Sequence, residues 1–516
     1  MWGRQVNARN RHASAIHGMT RAQHVVVVGG GIAGLCAAAS LAHSGRRVTV
    51  FEAQEEVGGK ARQVPSEAGP VDAGPTVFTM RPVFEEFFAS IGSELDENVR
   101  LRSAEVLARH YWPDGSSLDL YADPELSVAA VDTFAGPRAA TEFADFSDRA
   151  RRLFDTFETP IMRNPHPTLP GVTRAVARNA LQILPAMAPA STLWSALGRQ
   201  FSDPRLRQLF ARYATYVGGS PLHSPAILML IWHAEASGVW FVDGGMSALA
   251  RSIARAAEAL GAEIHRGVRV QSIETVRGQA RQVTTTVGRV DDVDAVVFNG
   301  DPSALGNGLL GASARPAAPA LEPRERSLSA WVWSFAGEPS GVELAHHTVF
   351  FSDNYPAEFD DLVRSRRPPA DPTIYVCAQD RREQTAMIVG PERFEIILNA
   401  PADGEAGPPD SKEIERCTTA TFGRLAASGL KLAPPDPRTS LTTPDRFAAL
   451  FPGTGGAIYG AAPHGPMATF RRPMTRTRVP GLYLAGGGAH PGPGVAMCCL
   501  SGQLAAEAIM QDHALT

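Results

Sequence analysis

Three glycines, Gly29, Gly31 and Gly34, follow the apolar run Val25 to Val28, and an acid, Glu52, closes a second β-branched run over Val48 to Phe51. Between them an apolar and small-residue segment, Ile32 to Ser44, is long enough for a helix. Strand, glycine turn, helix, strand and acid is the spacing of a dinucleotide-binding unit. Gly29 permits the tight turn, Gly31 lets the backbone approach a pyrophosphate, and Gly34 lets the helix pack on its strands. Phosphates then meet free N–H groups at the helix start, and Glu52 accepts hydrogen bonds from a ribose diol.

A second glycine-rich turn lies near the other end of the chain. Leu482 to Ala485 reads as a strand, Gly486 to Gly488 as a turn, His490 to Gly494 as a constrained loop, and Val495 to Met510 as a helix. Two such turns so far apart imply that front and tail meet over one cofactor. FAD fits better than a nicotinamide nucleotide, because its phosphates are held at one end and its isoalloxazine at the other. After Glu52, Gly58 and Gly59 would let the chain run under the cofactor, with Lys60 or Arg62 near its phosphates. The rigid turn Asp72-Ala73-Gly74-Pro75, followed by Thr76 to Met80, suits a passage along flavin or substrate.

The remaining elements have to position these turns. Val106 to Trp112 and Ser117 to Tyr121, joined through Asp114-Gly115, predict a hairpin, and Phe143, Phe146, Leu153, Phe154 and Phe157 mark one face of a helix over 142–158. Arg149, Arg151 and Arg152 belong to its solvated side. Residues 238–260 predict strand, glycine turn and helix, 263–273 a further strand, and 293–298 another. Runs at 327–335, 348–352, 373–379 and 394–398 predict an antiparallel sheet with one covered face. The fold class is therefore α/β: a Rossmann-like domain over 23–105, 239–310 and 440–516, and an α+β substrate domain over 106–238 and 311–439. Residues 1–22 carry four arginines and no acid, lack a secretory apolar core, and read as a tail or as an extension before a start at Met19.

Composition narrows the function. At 516 residues the chain can bury more than one core, and 44% hydrophobic with 20% charged residues is a globular balance. A net charge of -4, with no zinc-finger or RNP pattern, argues against nucleic acid. Cys36, Cys377, Cys417, Cys498 and Cys499 make neither a disulfide ladder nor a metal cluster by spacing, and read as small buried hydrophobes. The stretch 179–198 has no charge, yet Pro185 and Pro189 interrupt it, so it does not span a bilayer. A tunnel wall, or insertion of one face into a membrane, suits it better, and 213–232 is a second candidate lining.

On these residues the sequence resembles the carotenoid desaturase family, within the amine-oxidase-like flavoenzymes. The resemblance rests on GGGIAGLCAAASLAHSGRRVTVFEA at 29–53, GGKAR at 58–62, DAGPTVFTM at 72–80, YVGGSP at 216–221, WFVDGGMSALARSIA at 240–254 and GLYLAGGGAHPGPGVAMCCLSGQLAAEAI at 481–509. It is strongest to the branch that forms the C3–C4 double bond of acyclic hydroxyneurosporene or methoxyneurosporene, with phytoene desaturation the competing reading; a carotenoid isomerase and a flavin amine oxidase are more distant alternatives. The resemblance implies FAD held by Gly29, Gly31, Ile32, Ala33, Gly34, Glu52, Ala53, Gly59, Lys60, Arg62, Gly74, Pro75, Thr76, Val270, Gly488, Gly494 and Val495. His490 is the polar candidate for base or flavin positioning, although Ala489 stands where the family often has Thr. It further implies an acyclic carotenoid substrate, a quinone or dioxygen as electron acceptor, and a peripheral place on the cytoplasmic side of a bacterial inner membrane.

Overall fold

The computed structural model describes residues 23–178, 180–381, 390–465 and 467–513. The expected tail with Met19, and Asn179 at the head of the uncharged stretch, lie outside the described residues. In chain order, the strands that position the site are β1 (His24–Val28), β2 (Arg47–Phe51), β3 (Val106–Tyr111), β4 (Ser117–Tyr121), β5 (Glu263–His265), β6 (Val270–Val276), β7 (Ala295–Phe298), β8 (Ser329–Gly337), β9 (His347–Phe350), β10 (Ile374–Ala378), β11 (Glu392–Ala400), β12 (Leu441–Thr442) and β13 (Leu482–Leu484). The helices are α1 (Ile32–His43), α2 (Pro137–Phe157), α3 (Met246–Ala259), α4 (Ser411–Ala427) and α5 (Val495–Asp512).

Continuous apolar strands need cover on both faces, and β1 and β7 are buried along their whole length. They sit inside a five-stranded parallel sheet of order β13–β7–β1–β2–β5. Val28 stands opposite Phe298, and Phe298 opposite Leu484, so three glycine-rich or polar turns leave the sheet at one level. On one side α1 and α5 lie together, where a Cβ on Gly502 would come 2.3 Å from the Ala33 carbonyl oxygen. This close approach brings the first and last helices of the described chain together.

The second sheet has seven strands in the order β12–β8–β11–β10–β9–β3–β4. The four runs expected as an antiparallel sheet, β8, β9, β10 and β11, pair antiparallel throughout, and the β3–β4 hairpin joins them through a parallel pairing of β3 with β9. Trp333, Phe350, Ile374, Val376, Phe394, Ile396 and Leu398 face one side, where Phe422 and Leu425 of α4 cover them. The other side faces the nucleotide-binding elements. β12 joins this sheet, so residues 441–442 belong with the second sheet and not with the nucleotide-binding part expected over 440–516.

A second difference concerns 263–273, expected as one strand. Gly267 adopts a φ of 69°, and the chain divides there into β5, in the parallel sheet, and β6, which pairs antiparallel with Gln279–Thr285. The uncharged stretch is likewise broken, into helices Ala180–Met187, with Pro185 inside, and Leu193–Gln200. Among the described residues no helix is long and apolar enough to cross a membrane. Tyr213 and Trp232 are core residues, packed with Phe143 and Phe210 on α2 and its neighbour.

Candidate active site

The α1 turn is built as its spacing predicts. Gly29 has a φ of 102°, closed to most side chains, and a Cβ on Gly34 would lie 2.2 Å from the Gly29 carbonyl oxygen. Gly31 is the N-cap of α1 and no side chain caps the helix, which leaves its first N–H groups available to an anion. Glu52 is buried; Oε2 accepts from the Gly30 N–H at 2.6 Å and Oε1 from the Gln54 N–H at 2.8 Å. A carboxylate has further lone pairs with which to receive a diol. Gly58 donates its N–H to the Gly30 carbonyl, so the second glycine pair lies against the first turn, and a Cβ on Gly59 would be 3.3 Å from Gly31 Cα.

The next two residues part company. Lys60 Nζ donates to the Ile458 carbonyl and faces Asp301, while burial lowers its pKa. Arg62 Nη2 donates to Thr442 Oγ1 at 2.9 Å and faces Glu395. The Lys60 side chain thus turns to the tail segment and that of Arg62 to the seven-stranded sheet. The 72–76 loop crosses directly over this segment, since a Cβ on Gly74 would stand 1.8 Å from the Lys60 carbonyl oxygen. Asp72 accepts the Met246 N–H at 2.7 Å and so caps α3, its pKa raised by burial. Beyond Pro75, Thr76 Oγ1 lies 2.7 Å from Tyr375 Oη.

At the tail, Gly494 is the N-cap of α5, again without a side-chain cap, and Val495 opens the helix. A Cβ on Gly488 would come 2.6 Å from Pro302. His490 is fully buried; Nε2 meets the Asn164 carbonyl at 2.9 Å, Ser501 Oγ donates to the His490 carbonyl, and burial lowers the ring's pKa. A neutral ring that donates from Nε2 carries its lone pair on Nδ1. Val270 opens β6 two residues after Val268, whose N–H donates to the Glu52 carbonyl, so it stands just beyond the acidic end of β2.

Two residues escaped the sequence reading. Asn299, directly after β7, donates from Nδ2 to the Gly29 carbonyl at 3.1 Å, and its side-chain oxygen lies 2.8 Å from where a Cβ on Gly486 would stand, so it sits between front and tail turns. Arg472 is a buried cation whose guanidinium donates to the carbonyls of Tyr459 and Gly487, with its pKa pushed down to about 10 by burial. Only the sandwich position of β7 could have marked the first. A further convergence was also unforeseen: His346, His347 and Cys377 each bring a possible ligand atom within 4.8 Å of the others. Cys36, Cys417 and Cys499 fit the buried-hydrophobe reading while Cys498 is only partly buried, and burial raises the thiol pKa of Cys36 well above its usual value.

Two helix N-termini without side-chain caps, with Asn299 between their glycine turns, are free to receive an anionic ligand, and residues 32–510 match the model of the flavin-containing amine oxidoreductases. The chain belongs to that family. Its cofactor is FAD. The chain is 49% identical over 493 residues to hydroxyneurosporene desaturase of Cereibacter sphaeroides, covering 95% of this chain and 98% of that one. It is 46% identical to the protein of that name in Rhodobacter capsulatus, over 95% and 98%, and these relatives put it on the carotenoid-desaturase branch. At the level of fold alone it matches wild-type putrescine oxidase bound to putrescine (TM-score 0.55, 16% identity, 95% of this chain and 99% of that one) and cyclohexylamine oxidase from Brevibacterium oxydans (0.54, 16%, 95% and 99%).

Proposed function

We propose that the protein is an FAD-dependent desaturase of acyclic carotenoids that forms the C3–C4 double bond of hydroxyneurosporene or methoxyneurosporene. The observation that carries this reading is identity of 45–49% over 95% of the chain to three hydroxyneurosporene desaturases. When bound, FAD supplies a two-electron acceptor for a hydride from an allylic carbon. Gly29, Gly31, Ile32, Ala33 and Gly34 would receive the pyrophosphate at α1, and Glu52 and Ala53 the ribose. Gly59, Gly74, Pro75, Thr76, Gly488, Gly494 and Val495 would line the flavin's length, and Val270 would meet the adenine. The chain's own task at the reacting bond is orientation and exclusion of water, because the polyene itself delocalises developing charge. His490 Nδ1 is the candidate acceptor for the departing proton. Lys60 and Arg62 would lie near the phosphates where the 58–62 segment runs under the cofactor, with their side chains also tied to the tail and the second sheet.

The substrate would enter from a bilayer. Leu169, Leu181 and Leu184 are exposed on the helices Leu169–Arg178 and Ala180–Met187, Leu181 by 94%, which suits insertion of one apolar face from the cytoplasmic side. A quinone or dioxygen would reoxidise the flavin. The test is anaerobic mixing of FAD-loaded protein with 1-hydroxyneurosporene, neurosporene and phytoene in liposomes, following flavin bleaching and product mass. Bleaching with loss of 2 Da from the hydroxylated substrate is expected. Faster bleaching by phytoene would transfer the assignment to phytoene desaturation, and an unchanged mass would indicate an isomerase.

A further inference from the structure

The face of the seven-stranded sheet turned toward the nucleotide-binding elements carries groups that a hydrocarbon substrate does not need. Ser334, Glu395, Cys377 and His347 stand directly opposite one another on four adjacent strands, and so form one row on one face. All four are buried. Ser334 Oγ, Glu395 Oε2 and His347 Nε2 have no hydrogen-bond partner among the described residues. Unpaired buried polar atoms are costly, and a row of three is characteristic of a site completed by a ligand.

His347 is held from its other side. Its Nδ1 lies 2.7 Å from Tyr375 Oη, which lies 2.7 Å from Thr76 Oγ1, in the loop that crosses over the Lys60 main chain. Burial keeps the imidazole neutral, helped by His346 and Arg212, and keeps the Tyr375 phenol protonated. If Thr76 donates to Tyr375 and Tyr375 to Nδ1, the single ring proton of His347 stands on Nε2. A cavity of about 30 Å³ lined by Thr76, Phe241, His346, Cys377 and Gln379 opens alongside.

We infer that His347, positioned by Tyr375 and Thr76, donates a hydrogen bond from Nε2 to the oxygen on C1 of the substrate and so selects oxygenated over plain acyclic polyenes. This rests on the proposed desaturase function. In such substrates C1 is two bonds from C3, so a group that grips its oxygen has to lie beside the reacting bond, which is where the Thr76 loop runs under that reading. An N–H donor serves a tertiary alcohol and its methyl ether alike, since both offer a lone pair. A polyene without the oxygen leaves Nε2 desolvated and unpaired, so discrimination comes from a penalty on the wrong substrate as well as a contact with the right one.

The test uses full-length FAD-loaded protein with 1-hydroxyneurosporene, 1-methoxyneurosporene and neurosporene, comparing wild type, His347→Leu and Tyr375→Phe. Wild type should favour both oxygenated substrates. His347→Leu should lower the ratio of kcat/KM for hydroxylated over plain substrate by about 10- to 100-fold, chiefly through KM, and Tyr375→Phe by several-fold. If His347→Leu does not yield flavin-loaded protein, Tyr375→Phe carries the test. An unchanged ratio in the folded variants overturns the inference. Preference for the alcohol but not the ether overturns the N–H donor. Loss of wild-type selectivity on chelator treatment also overturns it, by moving His347 to a metal site with His346 and Cys377. Wild type that bleaches equally with all three refutes this inference alone, whereas bleaching with none refutes the desaturase reading.

Discussion

Single residues in this protein divide by whether they serve the ligand or the packing, and the two glycines of the first turn illustrate the division. A Cβ on Gly31 would press only on the Asn299 side-chain nitrogen, at 3.0 Å, with Gly59 Cα at an ordinary 4.0 Å, on backbone whose φ of -74° any residue adopts. Gly31→Val should therefore fold, with a small loss of Tm, and bind FAD at least tenfold more weakly in a titration of apoprotein. Gly34→Ala presses on main chain at 2.2 Å and should lower Tm as well as flavin content. Equal flavin affinity in Gly31→Val and wild type would refute the cradle. A second residue, Glu358, governs pH dependence instead. It is buried, its Oε2 accepts from Ser352 Oγ and from Thr373 N–H and Oγ1, and burial raises its pKa to about 8. The folded state thus holds a proton that the unfolded chain releases above the ordinary carboxyl pKa, so its contribution to stability is full at low pH and is lost as pH rises toward about 8. Glu358→Gln, which mimics the protonated acid, should gain on wild type in thermal unfolding as pH goes from 5 to 9. A constant difference across that range would mean Glu358 titrates normally.

At the scale of elements, what could be read from sequence was what is local. The β1–α1–β2 unit, the β3–β4 hairpin and the β13–α5 turn each lie within one short stretch, and their glycine positions and apolar periods state them outright. The break between β5 and β6 was hidden because the apolar pattern runs on through Gly267 while the chain changes sheets. The polar row Ser334, Glu395, Cys377 and His347 was invisible for a stronger reason: it exists only through the register of strands whose order in the sheet differs from their order in the chain. The uncharged stretch could be tunnel wall, membrane face or ordinary core, and its exposure pattern suits the proposed membrane face. Ile183 and Ala186 are buried, while Leu181 and Leu184 project outward on the same helix. Leu181→Asp with Leu184→Asp should therefore abolish sedimentation with phospholipid vesicles, and leave Tm within about 1 °C because no packing is lost. Undiminished vesicle binding would place the membrane contact elsewhere.

The whole molecule closes on its own ends. The tail strand β13 is held in the parallel sheet through β7, and β7 carries Asn299, whose side chain sits between Gly29 and Gly486. Asn299 could not be found from spacing, because its place follows from a sandwich of three strands that are remote from one another in sequence. Front and tail thus meet at Asn299 as well as through the packing of α1 on α5, and a cofactor gripped by both helix starts would add a further tie. Linkage then makes a specific demand. FAD at about 100 times its Kd should stabilise the fold by about 2.7 kcal/mol. If both ends hold the cofactor, hydrogen exchange should slow on adding FAD in residues 29–36 and in residues 486–500 alike. Asn299→Ala should weaken FAD binding and, at matched saturation, leave both segments protected, since the cofactor itself then bridges them. Protection confined to residues 29–36, with 486–500 exchanging at the same rate with and without FAD, would show that the tail packs on the sheet without touching the flavin, and the two-ended grip would have to be abandoned.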